Sequence, residues 1–215
     1  MTEFVQNIFF IGKGIALTLQ LLIGGMLIGI ALGTLWSIGR YQGIACFSIN
    51  RFISIMRGTP LILQLSFIYF SFPSLLGMRP SILMAGIIAF GLNSSAYLAE
   101  ILRAGIESLP KGQFEAAATL QVPTFYLWKD IILPQVIKNI FPAIVNETIA
   151  LLKETALIST IGGLDLMRQA QSVAAQQFTY FMPLCIAGIY YYGLVLLIEL
   201  LGKVVEKRGN YVAGH

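Results

Sequence analysis

The chain has 215 residues, of which 57% are hydrophobic and only 11% charged. A soluble domain carries about 25% charged residues, so this composition excludes an ordinary soluble protein and predicts an integral membrane protein of the all-α class, with room for a single domain over residues 1–215. The formal net charge of +4 comes without a basic run interleaved with aromatics, which argues against a nucleic-acid partner.

Taken in order, residues 1–14 set Phe4, Val5, Ile8, Phe9 and Phe10 among polar neighbours, a pattern that suits a short helix at the membrane interface. No small-residue cleavage site follows, so no cleaved signal peptide is expected. Residues 17–38 carry no charge and are long enough to span a bilayer. Residues 60–76 form a second expected span, beginning near Ile53, with Thr59 as cap and Pro60 as first helical residue. A tight turn at 77–81 precedes a third span, 82–102. Residues 136–152 make a fourth, interrupted by Asn139, Pro142, Asn146 and Glu147. A polar helical run covers 165–177, and 182–201 is the fifth span. Gly25, Gly29 and Gly33 recur every four residues, the mark of a helix-contact face.

Between the third and fourth spans lies the longest polar interruption, about residues 107–135. Pro110 can open a short helix containing Glu115, Ala116, Ala117, Ala118 and Leu120. Pro123 breaks it, Thr124 can cap a second helix toward Ile131–Leu133, and Pro134 is expected to stop that one. Two short helices with a bend form a knob outside the membrane. With five spans, Arg40, Arg51, Arg57, Arg103, Lys111, Lys129, Lys138, Lys203, Lys207 and Arg208 fall on the knob's side, and Lys13, Arg79, Lys153 and Arg168 on the other. The excess of positive charge makes the knob side cytoplasmic, with the N-terminus outside and the C-terminus at His215 inside.

Glu115-Ala116-Ala117 followed by Ile131-x-Leu133-Pro134 resembles the EAA loop of ATP-binding-cassette importer permeases. Gln121 stands where that pattern has Gly, so either a residue with a Cβ adopts a left-handed turn there or the turn is shaped differently. Arg57-Gly58-Thr59-Pro60-Leu61 with Gln64, and the string Ala96-Tyr97-Leu98-Ala99-Glu100 through Glu115, resemble the transmembrane permease subunit of polar amino acid importers, over roughly residues 50–165. The resemblance implies a multi-pass protein of the bacterial inner membrane in contact with lipid. It implies ATPase subunits that dock on the knob through Glu115, Ala116, Ala117, Leu133 and Pro134. It further implies a second permease subunit, identical or related, and an external solute-binding protein. ATP belongs to the partner ATPase. No nucleophile–histidine pair, phosphate loop or histidine cluster gives this chain catalysis, and Cys46 and Cys185 lie too far apart in sequence to suggest a framework or a metal site.

Asn146 and Glu147 sit inside an apolar segment, where a carboxylate is costly unless protonated or paired with a cation. Lys153 is six residues on, about 9 Å along a helix and on its far face. Glu147 therefore points either to a cationic ligand or to a partner subunit or the water boundary. Asn146 and Gln64 are substrate-binding candidates with it. Gln64, Asn93 and Ser94 serve either to line the same cavity or to hydrogen-bond between helices. By resemblance, Asn-Glu at this point often accompanies basic substrates. Glu100 with Arg103 and Glu199 with Lys203 read as structural ion pairs. Two rival readings are a permease of the same architecture for another solute and a helical membrane scaffold that transports nothing.

Overall fold

A computed structural model of the chain describes residues 2–71, 73, 74, 77 and 79–212, and every element among them is a helix. Leu75, Leu76 and Met78, at the far end of the second expected span and in the turn after it, lie outside the described residues, as do the Arg208 side chain and all of His215.

Helix α1 is Thr2–Gly12 and α2 is Ile15–Tyr41. Together they make one apolar stretch of 39 residues, Glu3–Tyr41. At about 1.5 Å per residue this is about 58 Å, well beyond the roughly 30 Å of a hydrocarbon core, so part of it stands outside. Helix α5 is Ile82–Glu107, capped by the Ser81 hydroxyl, which accepts from the Met84 N–H at 3.1 Å. It forms the main seam of the fold with α2. A Cβ at Gly29 would sit 3.0 Å from Ser94 Oγ, and one at Gly33 2.9 Å from Leu98 Cβ. Lipid tails are as apolar as leucine, so close backbone approach and interhelical hydrogen bonds must hold such a seam. The Trp36 indole donates to Ser95 Oγ at 3.4 Å, and the Ser37 hydroxyl to the Ala99 carbonyl at 3.2 Å. The glycine repeat is the contact face its spacing predicts.

Helix α3 is Cys46–Gly58, and α4 is Leu61–Ser66, running on as a π-helical turn, Phe67–Ser71. The two meet at 105°, so the second span does not run straight from Ile53. Pro60 is the cause: it forces the preceding Thr59 into an extended backbone, φ −118°, ψ 145°. Pro60 occupies the N-cap position of α4 rather than its first turn. The Thr59 hydroxyl donates back to the Ile55 carbonyl at 2.8 Å, closing α3 instead of capping α4.

The knob begins with α6, Lys111–Thr119, with Pro110 at its N-cap position. Gln121 takes a left-handed backbone, φ 53°. Its N–H donates to Ala118 O at 3.1 Å, and the Val122 N–H donates to Ala117 O at 2.9 Å, the two bonds of a Schellman ending. The glutamine thus adopts the conformation a glycine would take without steric cost. Pro123, not Thr124, holds the N-cap position of the one-turn helix α7, Thr124–Tyr126. A π-helical turn, Leu127–Ile132, leads into α8, Leu133–Glu154. Pro134 therefore does not end the helix. A proline removes a bond to the residue four back and crowds that carbonyl. The wider turn just before it opens the ladder there, and the helix passes through.

A 3-10 segment, Thr155–Ile161, and a left-handed Gly162 lead to Asp165, which caps α9, Leu166–Gln177, in the region where a polar helix is expected. The last described element is α10, Phe181–Val212. Among the described residues, three stretches are long and apolar enough to cross a membrane: Glu3–Tyr41, α5, and Phe181–Lys207 of α10. The bent pair α3–α4 makes a fourth if it counts as one span. Helix α8, at 22 residues, is long enough at about 33 Å. Lys138, Asn139, Asn146, Glu147, Lys153 and Glu154 keep it below the apolarity of the others. A count of five needs both the bent pair and α8.

Candidate functional site

The knob is tied to the helices below it. Gln113 and Gln135 exchange amide hydrogen bonds at 3.0 and 2.9 Å. Leu109, Ile132, Val136 and Ile140 form a buried cluster beneath it. The Trp128 ring packs edge-on to Tyr41 at the end of α2, centroids 4.7 Å apart. Its surface carries large exposed apolar side chains: Leu120 is 75% exposed, Phe125 68% and Tyr126 55%. Among the residues expected on this surface, Glu115, Ala116, Leu133 and Pro134 are exposed. Ala117 is not: at 4% exposure it packs within its own chain, and its carbonyl accepts from the Val122 N–H.

The second place is the packed junction of α2, α5 and α8. Glu147 is half-buried there, and its Oε1 accepts from the Ser94 hydroxyl at 2.8 Å. The Ser94 and Thr148 hydroxyls both approach Met26 Sδ at 3.9 Å. Among the described residues no lysine or arginine lies within 4.0 Å of the Glu147 carboxylate. Asn146 is exposed beside it.

Gln64 belongs to a separate set. Its amide donates to Met56 O at 2.9 Å, Thr59 O at 3.2 Å and Thr59 Oγ1 at 2.9 Å, and its Oε1 accepts from Asn93 at 3.1 Å. It pins the 105° bend to α5 and lines a cavity of about 670 Å³ with Leu63, Phe67, Met84 and Arg79. The structure thus brings Glu147 to Ser94 and Gln64 to Asn93, neighbours on α5 that serve different sides of it.

At the other end of α5, Glu100 accepts from Arg40 at 2.5 Å and from Arg103 at 3.0 Å, with Arg57 at 3.4 Å. Arg103 also reaches Glu107 at 2.6 Å. The expected Glu100–Arg103 pair is present. Its other two members come from segments far away in sequence, and the only hint of them was an arginine at each segment end. The expected Glu199–Lys203 pair does not form; Lys203 is exposed, and holding a long exposed chain to a partner gains little. Opposite the knob, Asp165 is fully buried and accepts from the N–H groups of Arg168 at 2.9 Å and Met167 at 3.2 Å and from the Tyr191 hydroxyl at 3.0 Å. Burial pushes its carboxyl above the ordinary range, against the pull of those three donors. Nothing in the spacing of Asp165 and Tyr191 announced this contact.

Residues 25–210 match the family of binding-protein-dependent transport system inner membrane components. A putative glutamine transport system permease protein of Rickettsia conorii is 47% identical over 211 residues, 97% of this chain and 96% of that one. The arginine transport system permease protein of Bacillus subtilis is 44% identical over 206 residues, 95% of this chain and 94% of that one. A crystal structure of an amino acid ABC transporter with histidines superposes with a TM-score of 0.88 at 36% identity, covering 96% of this chain and 97% of that one. An inward-facing methionine ABC transporter shares the fold, with a TM-score of 0.71 at 17% identity. The chain belongs to this family: it is a permease, an inner-membrane component of a binding-protein-dependent transport system.

Proposed function

We propose that this family member is the transmembrane permease subunit of an ATP-driven importer of polar amino acids, and that basic ones are its preferred substrates. The names of its relatives support the amino acid class. The observation that carries the charge preference is Glu147: a half-buried carboxylate between α5 and α8 with one hydroxyl partner and no cation within 4.0 Å among the described residues. A carboxylate at membrane depth needs a proton or a cation. An arginine or lysine side chain passing through supplies the cation, and a glutamine side chain does not. Asn146, exposed one residue away, offers an amide to the same ligand, whereas Gln64 acts from the other side of α5 by holding the 105° bend.

ATP is hydrolysed on separate ATPase chains, which dock on the outer face of the knob through Glu115, Ala116, Leu120, Leu133 and Pro134. Two permease subunits pair, a solute-binding protein delivers substrate from outside, and the knob with the C-terminus faces the cytoplasm. The test is uptake of labelled arginine and glutamine by the reconstituted transporter, compared with its Glu147→Gln variant at equal protein level. The charge argument expects arginine uptake to fall about tenfold or more, and glutamine uptake much less. Transport of glutamine alone, or arginine uptake untouched by the variant, overturns the assignment of Glu147.

A further inference from the structure

The knob-side ends of α2 and α5 enclose a cleft of about 350 Å³ lined by Ser37, Arg40, Tyr41, Arg103, Ile106 and Glu107. Import by the route above makes no use of it. Its charge is not balanced. Its wall holds Arg40 and Arg103 against Glu107 alone, two positive groups to one negative, and Glu100 just behind it is shared by Arg40, Arg103 and Arg57. Arg40 reaches Glu100 through Nη1 alone, and a guanidinium has five N–H donors. Its remaining donors, with those of Arg103 in the same wall, suit the oxygens of a phosphate, which accept from a planar fork in pairs.

The surface beside the cleft indicates what carries that phosphate. Ile23, Leu27, Ile30, Thr34, Ile38 and Tyr41 are all exposed on α2. Their spacing of three and four residues puts them on one face, a nearly continuous apolar stripe that ends at the cleft, where Ser37, Arg40 and Tyr41 form its wall. A soluble phosphate compound has no use for such a track, whereas an acyl chain does. Basic pockets between spans bind anionic headgroups in this way.

We infer that the cleft between the knob-side ends of α2 and α5 binds the phosphate of an anionic phospholipid, whose acyl chains lie along the exposed stripe of α2. Tyr41 both lines the cleft and packs on Trp128 of the knob, so the lipid touches the joint between span and knob. The inference needs α2 and α5 to be membrane spans and holds whichever solute is carried.

The chain has two tryptophans, Trp36 beside the cleft wall and Trp128 against Tyr41, and both serve as reporters. The full-length protein is reconstituted in phosphatidylcholine vesicles that contain an equal fraction of either brominated phosphatidylglycerol or brominated phosphatidylcholine, and tryptophan quenching is compared. The brominated anionic lipid is expected to quench with roughly fivefold higher apparent affinity, the scale of one basic residue at an anionic surface. Arg40→Gln should bring the preference close to one. Glu107→Gln removes the one anionic group in the wall and should strengthen the preference, which a purely structural ion-pair role would not do. Millimolar glycerol phosphate should leave it unchanged.

Equal quenching by the two lipids overturns the inference, as does weak quenching by both, which would mean that protein covers the stripe. A preference erased by glycerol phosphate assigns the cleft to a soluble phosphate and overturns the lipid. Where Arg40→Gln does not fold, an unchanged or weaker preference in Glu107→Gln overturns it alone.

Discussion

Replacing Leu120 with aspartate should uncouple the permease from its ATPase while leaving the permease itself intact. Leu120 is 75% exposed on the apolar cap of the knob, beside Phe125 at 68% and Tyr126 at 55%. Full burial of a leucine side chain is worth about 1.5–3 kcal/mol. Three quarters of that area is still open, so docking gains about 1–2 kcal/mol from this side chain. An aspartate in its place forfeits that gain and adds the cost of burying an uncompensated charge, several kcal/mol if no cation meets it. A loss of about 3 kcal/mol or more corresponds to a weakening of docking beyond roughly a hundredfold. The free subunit should change by no more than about 0.5 kcal/mol, because the position is on the surface. Co-purification of the ATPase with tagged permease, and substrate-stimulated ATP hydrolysis in proteoliposomes, measure the first effect; membrane level and melting temperature measure the second. Ala117→Asp is the control. Ala117 is buried in its own chain, so the same charge there should lower the subunit's own stability and level. Normal ATPase binding by Leu120→Asp would refute the docking surface, and a stable, abundant Ala117→Asp subunit would refute the inward packing of α6.

Three further expectations concern a strained turn, a helix seam and the orientation in the membrane. Gln121→Gly relieves a left-handed backbone that costs a Cβ-bearing residue about 1–2 kcal/mol and adds a glycine entropy cost of about 0.5–1 kcal/mol. The melting temperature should hold or rise slightly, whereas Gln121→Val, β-branched at φ 53°, should lower it; the reverse order contradicts the Schellman ending. Gly33→Val places atoms against Leu98 Cβ at 2.9 Å and the Ser95 carbonyl at 3.0 Å, so α2 and α5 must part, and a loss of about 1–3 kcal/mol should appear in thermal melts. For orientation, Gly112→Cys on the knob and Gln176→Cys on α9, each in a background lacking Cys46 and Cys185, should be labelled from opposite faces of the membrane, the knob only from the cytoplasm. Labelling of both from one face contradicts the span count.

Much of this architecture could be read from residue order, because most of it is local. The Gly25–Gly29–Gly33 repeat lies on one helix, so its spacing states which face must be close to a neighbour. The strained turn at Gln121 follows from one residue in a known kind of ending. The Glu100–Arg103 pair is one helical turn long. What escaped depends on distance or on small side chains. Arg40 meets Glu100 across 60 residues of sequence, and nothing at either position encodes the other. Ala116, Ala117 and Ala118 are identical to any periodicity argument, so only the fold distinguishes the buried one. The bend at Thr59–Pro60 escaped a reading that began the second span near Ile53, and its angle depends on Gln64 and Asn93 clamping the corner.

Pro134 is the instructive failure, since propensity makes it a stop and the structure carries the helix through it. With a stop there, the knob would hang from α8 on a hinge, and its motion would die out at the membrane surface. Instead the helix runs from Thr124 through the π-helical turn to Glu154, and Glu147 lies on it about 20 Å from Leu133 at 1.5 Å per residue. A displacement of the knob meets two interruptions of the hydrogen-bond ladder before it reaches the carboxylate, the wide turn at Leu127–Ile132 and Pro142 within α8. The part of the knob from Thr124 onward and the helix that carries Glu147 are thus continuous. Substitutions that stiffen or break the π-helical turn should therefore alter how nucleotide hydrolysis and substrate passage are linked, without touching either site.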